Sequence, residues 1–218
     1  MSELRRFANR RQAGIALSKS LSRYASRADV AVLALPRGGV PVGHEVALAL
    51  AAPLDVFVVR KLGVPGYREL AMGAIASGGV RVLNEPVIRA CRVSPATIEQ
   101  VADEEAKELE RREHAYRGTR PPIDVKGKAV ILVDDGLATG STMKAAVQAA
   151  RLLSPARIIV AVPVGASETC HDLADMADEI VCLHTPAAFE AVSQCYLDFR
   201  ETSDDEVRAL LADSPFNG

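Results

Sequence analysis

VILVDDGLATGST, residues 130–142, is the stretch on which the reading of this 218-residue chain turns. Four consecutive apolar residues, Val130 to Val133, suit a strand of a parallel sheet buried on both faces. Asp134 and Asp135 follow where such a strand would leave the sheet, and a short loop of Gly, Thr and Ser leads into the helical pattern MKAAVQAARLL. In open α/β sheets ligands bind beyond the carboxyl ends of the strands, and a helix start with free N–H groups attracts anions. Gly136 and Gly140 allow close backbone approach to an oxyanion, while Thr139, Ser141 and Thr142 add hydroxyl donors. Two adjacent carboxylates would repel a bare phosphate but suit vicinal sugar hydroxyls, so the stretch as a whole asks for a ribose phosphate. A plain Asp-Gly turn is the bland alternative. A P-loop fits less well, because Gly140 rather than Lys precedes Ser141.

The stretch resembles the phosphoribosyl-diphosphate (PRPP) signature of the type I phosphoribosyltransferases, in which paired acids hold the ribose hydroxyls and the loop holds the 5'-phosphate. The match runs through four hydrophobics, the Asp pair, aliphatic Leu137 and the run Ala138-Thr139-Gly140-Ser141-Thr142. Gly136 departs from it, an aliphatic residue or Ser being usual there.

Upstream, Asp29 to Leu35 predicts a buried strand that runs into PRGGVPVG and the helical segment HEVALALAA. Pro36, Arg37, Gly38 and Gly39 form a second candidate anion cradle, with the forked guanidinium of Arg37 suited to phosphate oxygens. A tight turn is the alternative. By the resemblance this is the pyrophosphate loop, where a strained or cis peptide is common. Leu54 to Val59 predicts another strand, ended by Arg60 and Lys61. The Gly-rich segment from Gly63 to Gly79 is long and irregular enough for a mobile lid, or for a structural excursion with a short helix around Arg68 to Met72. Tyr67, Arg68 and Glu69 are its candidates to reach a ligand.

Residues 7–26 have helical apolar spacing and should pack across the sheet or join a lid; Arg10 and Arg11 suit a solvated face, or could point toward an anionic ligand. Val80 to Leu83 predicts a short strand, NEPVIRACR a short helix, and Ser94 to Gly118 a long charged helix with Ser and Gly caps. A helix at 143–153, a strand at 156–165, a helix at 167–177 and a strand at 179–185 complete a βαβ order that favours an α/β parallel sheet. Phe189, Tyr196 and Phe199 then suit core, or a hood over the sheet, before an acidic helix at 203–212.

A net charge of −2 gives no general footprint for nucleic acid or anionic membrane, and no stretch approaches a membrane span in length. The polar, basic start lacks signal-peptide character, so a cytoplasmic protein is expected. Cys91, Cys170, Cys182 and Cys195 lack CxxC spacing and suit reduced, mostly buried thiols; with His171 and His184 they lack the familiar zinc spacings. His44 and His114 fall in predicted helices, at surfaces or packing edges. A dinucleotide fingerprint starting at Gly38 fails at Val40, and Arg60 and Lys61 stand where a ribose acid would be wanted.

The resemblance implies one type I phosphoribosyltransferase domain over 1–218: a central parallel sheet flanked by helices (core about 28–185), with a small hood from about 1–27 and 186–218. It implies Mg²⁺-dependent transfer of a 5-phosphoribosyl group from PRPP to a nitrogenous base, with pyrophosphate released, in a homodimer. Asp134, Asp135 and Lys61 would be catalytic, the two acids also serving Mg²⁺ directly or through water. Arg37, Gly38, Gly39 and Arg60 would meet pyrophosphate, and Gly136, Leu137, Ala138, Thr139, Gly140, Ser141 and Thr142 the 5'-phosphate. The acceptor is left open, and a PRPP-sensing regulator without turnover is the alternative.

Overall fold

In a computed structural model of the chain, which describes residues 6–214, five strands form one wholly parallel sheet. They are β1 (Val30–Ala34), β2 (Leu54–Val56), β6 (Ala129–Val133), β7 (Arg157–Val164) and β8 (Glu179–His184), in the spatial order β2-β1-β6-β7-β8. Period-two side-chain alternation divides the interior. Val30, Val32, Ala34, Ile131, Val133 and Ile159 face one apolar cluster, and Ala31, Leu33, Val130, Leu132, Ile158 and Val160 face the other. Both faces are apolar because helices cover both.

The first cluster is closed by α1 (Arg10–Ser20), α2 (Gly39–Leu50), α4 (Pro95–Arg117) and α7 (Asp204–Ala212), the second by α5 (Ser141–Leu152) and α6 (Ser167–Ala174). Asn9 caps α1 by accepting from the Gln12 N–H, Ser94 caps α4 from Thr97 and Ser203 caps α7 from Glu206. Leu17 and Leu21, wholly buried, place the N-terminal helix segment as a cover on the sheet rather than a lid. Above the carboxyl edge the two terminal segments meet: Phe7 is bridged in parallel to Tyr196, with His184 against the Phe7 ring and Phe199 against that of Tyr196.

Two expectations are corrected here. Arg60 and Lys61 do not end a core strand: the chain leaves the sheet after Val56 and starts β3 (Val59–Val64), which pairs antiparallel with β4 (Tyr67–Ala76), itself paired with β5 (Val80–Leu83). The Gly63–Gly79 segment is therefore a β-hairpin, with no helix at Arg68 to Met72. The Pro65-Gly66 turn, with Gly66 at φ +82°, and the buried inward residues Leu62, Val64 and Met72 account for it. This second sheet packs against α4 and α5. The short helix α3 (Glu85–Cys91), capped by Asn84, follows as expected.

The long helix also departs from a purely solvated charge pattern. Arg117, in its last turn, is buried and its Nε donates to both oxygens of buried Asp55 on β2, at 3.0 and 3.1 Å. All four cysteines are free; only Cys195 is buried, while Cys170 and Cys182 are half-buried and Cys91 exposed. His44 is buried at the α2–α7 packing edge, with Nδ1 at 3.1 Å from the Leu210 carbonyl oxygen. Among the described residues no helix is long and apolar enough to cross a membrane.

Candidate active site

Because β1 and β6 are neighbours, the loops leaving their carboxyl ends lie side by side. The contact is close enough to require glycine. A Cβ on Gly38 would fall 2.1 Å from Asp135 Oδ2, and one on Gly39 would fall 2.6 Å from the Val133 carbonyl oxygen. The Pro36–Arg37 peptide is cis, in keeping with the resemblance. Helix α2 opens at Gly39, earlier than its apolar pattern predicts, so its N-terminal end adjoins the Asp pair.

Asp134 Oδ1 accepts the N–H of Asp135 at 2.8 Å, and Asp135 Oδ2 accepts Nε of Arg10 at 2.8 Å. Burial pushes the carboxyl of Asp134 well above the usual range, and the charge of Asp135 pushes it further. Burial also raises Asp135, against the opposing pull of Arg10. With two carboxylates and Arg10 as the cation against them, the pair keeps acceptor capacity that suits ribose hydroxyls. Among the described residues no group of three or more His, Cys, Asp and Glu could hold a metal. A magnesium ion thus fits at this pair only with most of its oxygen ligands coming from a phosphorylated substrate and water.

The following loop is held rigidly from below. The Leu137 N–H donates to the Val164 carbonyl at 2.9 Å, and the Leu137 carbonyl accepts from Ala166 at 2.9 Å, which seats the loop on the end of β7. The Leu137 side chain is buried, so of the predicted 5'-phosphate residues this one anchors the loop from inside instead of facing a ligand. Ala138, Thr139, Ser141 and Thr142 are exposed, with the Thr139 and Ser141 hydroxyls 3.2 Å apart at the start of α5. The first N–H groups of that helix have no intrahelical acceptor. Gly140 has φ +68°, and a Cβ there would meet Thr169 Cγ2 at 2.4 Å; Thr169 in turn donates its hydroxyl to the Ala138 carbonyl.

Arg37, Arg60 and Lys61 are engaged with carboxylates other than the Asp pair. Arg37 pairs with Glu201 and, at 3.5 Å, with Asp204. Arg60 Nε donates to Glu105 of α4 at 2.7 Å, and Lys61 Nζ lies 3.2 Å from Glu69 across the hairpin. Tyr67 is exposed, and the side chain of Arg68 lies outside the described residues.

Two residues that do adjoin the pair, and a third that meets the glycine after it, come from the chain ends. Arg10 is the ion-pair partner of Asp135, the Tyr196 hydroxyl donates to the Asp135 carbonyl at 2.6 Å, and Val192 lies against Gly136. A Cβ on Gly136 would sit 2.6 Å from Val192 Cγ1 and 3.1 Å from Val164 Cγ1. This explains the departure of Gly136 from the signature, which no local pattern could reveal. Gly136→Ala is expected to cost about 1–3 kcal/mol in urea denaturation, since stiff valines cannot retreat. Adding Val192→Ala should recover most of it, and a double variant no more stable than the single would discount the contact.

Similarity to known proteins agrees with this geometry. Residues 2–200 match the phosphoribosyl transferase domain family. A Mycobacterium tuberculosis (strain H37Rv) protein named provisionally as a phosphoribosyl transferase is 49% identical over 205 residues, covering 94% of this chain and 46% of its own. This chain thus spans about half the length of that relative. The crystal structure of TT1426 from Thermus thermophilus superposes with a TM-score of 0.84 at 43% identity, covering 94% of this chain and 97% of that one. The bifunctional protein PyrR of Chloroflexus aurantiacus is 35% identical over 129 residues, 58% of this chain and 65% of its own. By fold, by the loops at the ends of β1 and β6 and by sequence over nearly its whole length, the chain belongs to the phosphoribosyl transferase domain family.

Proposed function

We propose that this protein transfers a 5-phosphoribosyl group from PRPP to a nitrogenous base, with release of pyrophosphate. The observation that carries the reading is the contact between the Asp134–Asp135 pair and the Gly38-Gly39 turn, beside the exposed hydroxyls that open α5. Asp134 and Asp135 accept the two ribose hydroxyls and place negative charge near C1, where positive charge develops as the bond to pyrophosphate breaks. Thr139, Ser141, Thr142 and the first amides of α5 hold the 5'-phosphate. The turn at 36–39 faces the pyrophosphate, so the reacting carbon is held between two fixed ends and needs only an acceptor in line. Asp134 and Asp135 would hold Mg²⁺ together with oxygens supplied by the substrate and water, and the ion would supply charge neutralisation for the leaving group. From the resemblance alone, the reading carries with it a cytoplasmic homodimer.

One observation favours a second reading, a PRPP-sensing regulatory protein: Arg60 and Lys61, expected to assist the leaving group, are paired with glutamates on the second sheet and its neighbouring helix. A panel of purine, pyrimidine and pyridine bases with Mg²⁺ and PRPP separates the two. Pyrophosphate release with any base supports transfer, PRPP binding without release supports sensing, and no PRPP binding by the folded chain removes both.

A further inference from the structure

Arg10 sits where the two ligand loops meet, in surroundings unlike those of a solvated helix face. Its Nε donates to Asp135 Oδ2 at 2.8 Å, and a Cβ on Gly38 would lie 3.3 Å from the same nitrogen. The guanidinium lies over the Phe199 ring, 3.9 Å from its centroid, and Nη1 donates to the Arg200 carbonyl at 2.6 Å. Only 12% of the Arg10 side chain and 14% of that of Asp135 are exposed. The guanidinium is therefore held between one carboxylate of the acid pair and the glycine turn read above as the pyrophosphate end. Arg37, the arginine inside that turn, is engaged with Glu201 and Asp204.

Arg10 and a ribose compete for one oxygen. A hydroxyl that donates to Asp135 Oδ2 displaces the Nε hydrogen bond, and a displaced guanidinium seeks the nearest anion. PRPP supplies it: pyrophosphate carries several negative charges against the single charge of a carboxylate, and guanidinium meets phosphate oxygens in a bidentate fork. A cavity of about 410 Å³ borders the Arg10 side chain, and its lining includes Asp198, Glu201 and Glu206, single charges against which the more highly charged pyrophosphate competes.

Resting on the transfer reading, we propose that Arg10 is a ligand-contacting residue of this site, paired with Asp135 when the site is empty and with the pyrophosphate end of the ligand when ribose hydroxyls take its place. Arg10 thereby couples occupancy of the ribose position to the leaving group. It also couples occupancy to the C-terminal segment, through Phe199 and Arg200.

The test uses Arg10→Met, which keeps a long side chain over Phe199, and calorimetric titration with Mg²⁺ of ribose 5-phosphate alone and of inorganic pyrophosphate in the presence of saturating ribose 5-phosphate. Pyrophosphate should bind at least about tenfold more weakly than to wild type, while ribose 5-phosphate binds about threefold or more tightly, because its competitor for Asp135 is gone. Loss of both affinities together, or change in neither, overturns the proposal, since a merely structural arginine cannot move them in opposite directions. A folded wild type that binds PRPP keeps the transfer reading whichever way Arg10→Met behaves; one that binds none of the three ligands removes that reading first. Should Arg10→Met not fold, the Arg10 Nε–H resonance of the wild type, assigned by its loss in Arg10→Lys, gives the second measurement. Movement under saturating ribose 5-phosphate with pyrophosphate is expected, and a resonance that stays in place overturns the proposal.

Discussion

The Asp134→Asn, Asp135→Asn double variant is expected to lose PRPP binding by roughly 10²–10⁴-fold, because two hydrogen bonds to charged acceptors are worth about 1.5–3 kcal/mol each. The Asp134→Asn change alone, which leaves the Arg10–Asp135 pair in place, should make the empty protein more stable at neutral pH. Asp134 lies half-buried beside Asp135, and desolvation with the neighbouring charge raises its carboxyl well above the ordinary value of 3.8, so the folded chain holds that proton more tightly than the unfolded chain does. Stability contributed by the protonated carboxyl is present in full below 3.8 and is lost as pH rises through the higher folded value. Above that window the ionised pair is a standing cost. An asparagine in place of Asp134 keeps the acceptor for the Asp135 N–H without the charge, and the single Asp134→Asn variant should melt about 2–4 °C higher at pH 7.5 per kcal/mol recovered. The gain should shrink as the pH is lowered toward 3.8. A variant that melts lower than wild type at neutral pH would mean that the acids are not in conflict, and that their burial is offset in a way this geometry does not contain. The expected pairing of lost binding with gained stability is the mark of a site built for a ligand rather than for the fold.

Arg117→Met should destabilise the chain by about 3–5 kcal/mol, measured by urea denaturation, because it strands a buried carboxylate. Asp55 is 5% exposed and Arg117 8%, so water cannot take over the lost bonds. Asp55 Oδ1 would retain the Val56 N–H at 2.8 Å and Oδ2 the Ile123 N–H at 3.2 Å, but neither brings a charge. The pair ties the end of α4, the edge strand β2 and the loop before β6 at one point, so its loss should loosen the sheet edge from which the hairpin departs. The double variant Asp55→Leu, Arg117→Met should recover most of the loss, since an apolar pair of similar volume removes the desolvation penalty together with the attraction. A single variant within about 1 kcal/mol of wild type would show that solvent reaches the pair.

Legibility in the sequence follows the range of the interactions involved. The strands β1, β6, β7 and β8 are readable because each is a short apolar run bounded by a turn or a helix cap, and the long α4 because its caps lie beside it. The hairpin reads from sequence as an irregular segment, either a lid or an excursion with a short helix, and its strands are missed. Its Gly-rich composition outweighs the Pro65-Gly66 turn and the alternation around it, and composition says nothing about which strands will pair. Arg60 and Lys61 follow from the strand boundary, since a core strand assumed to run to Val59 ends at Val56 and leaves them within β3. Arg10 and Tyr196 carry no local signal: an arginine after an N-cap and a tyrosine in an irregular segment look alike whether they face solvent or an aspartate 125 or 61 residues away.

By itself the sequence determined the class of fold, the order of the core strands and helices, and the Asp pair with the loop that follows it, because period, caps and turn residues act over a few positions. Tertiary structure alone decided which cation adjoins that pair, why Gly136 must lack a side chain, and where the basic residues of the second sheet point. Those depend on which strands are neighbours and on how the chain ends close over the sheet, and burial and charge compensation are settled only when distant segments are brought into contact.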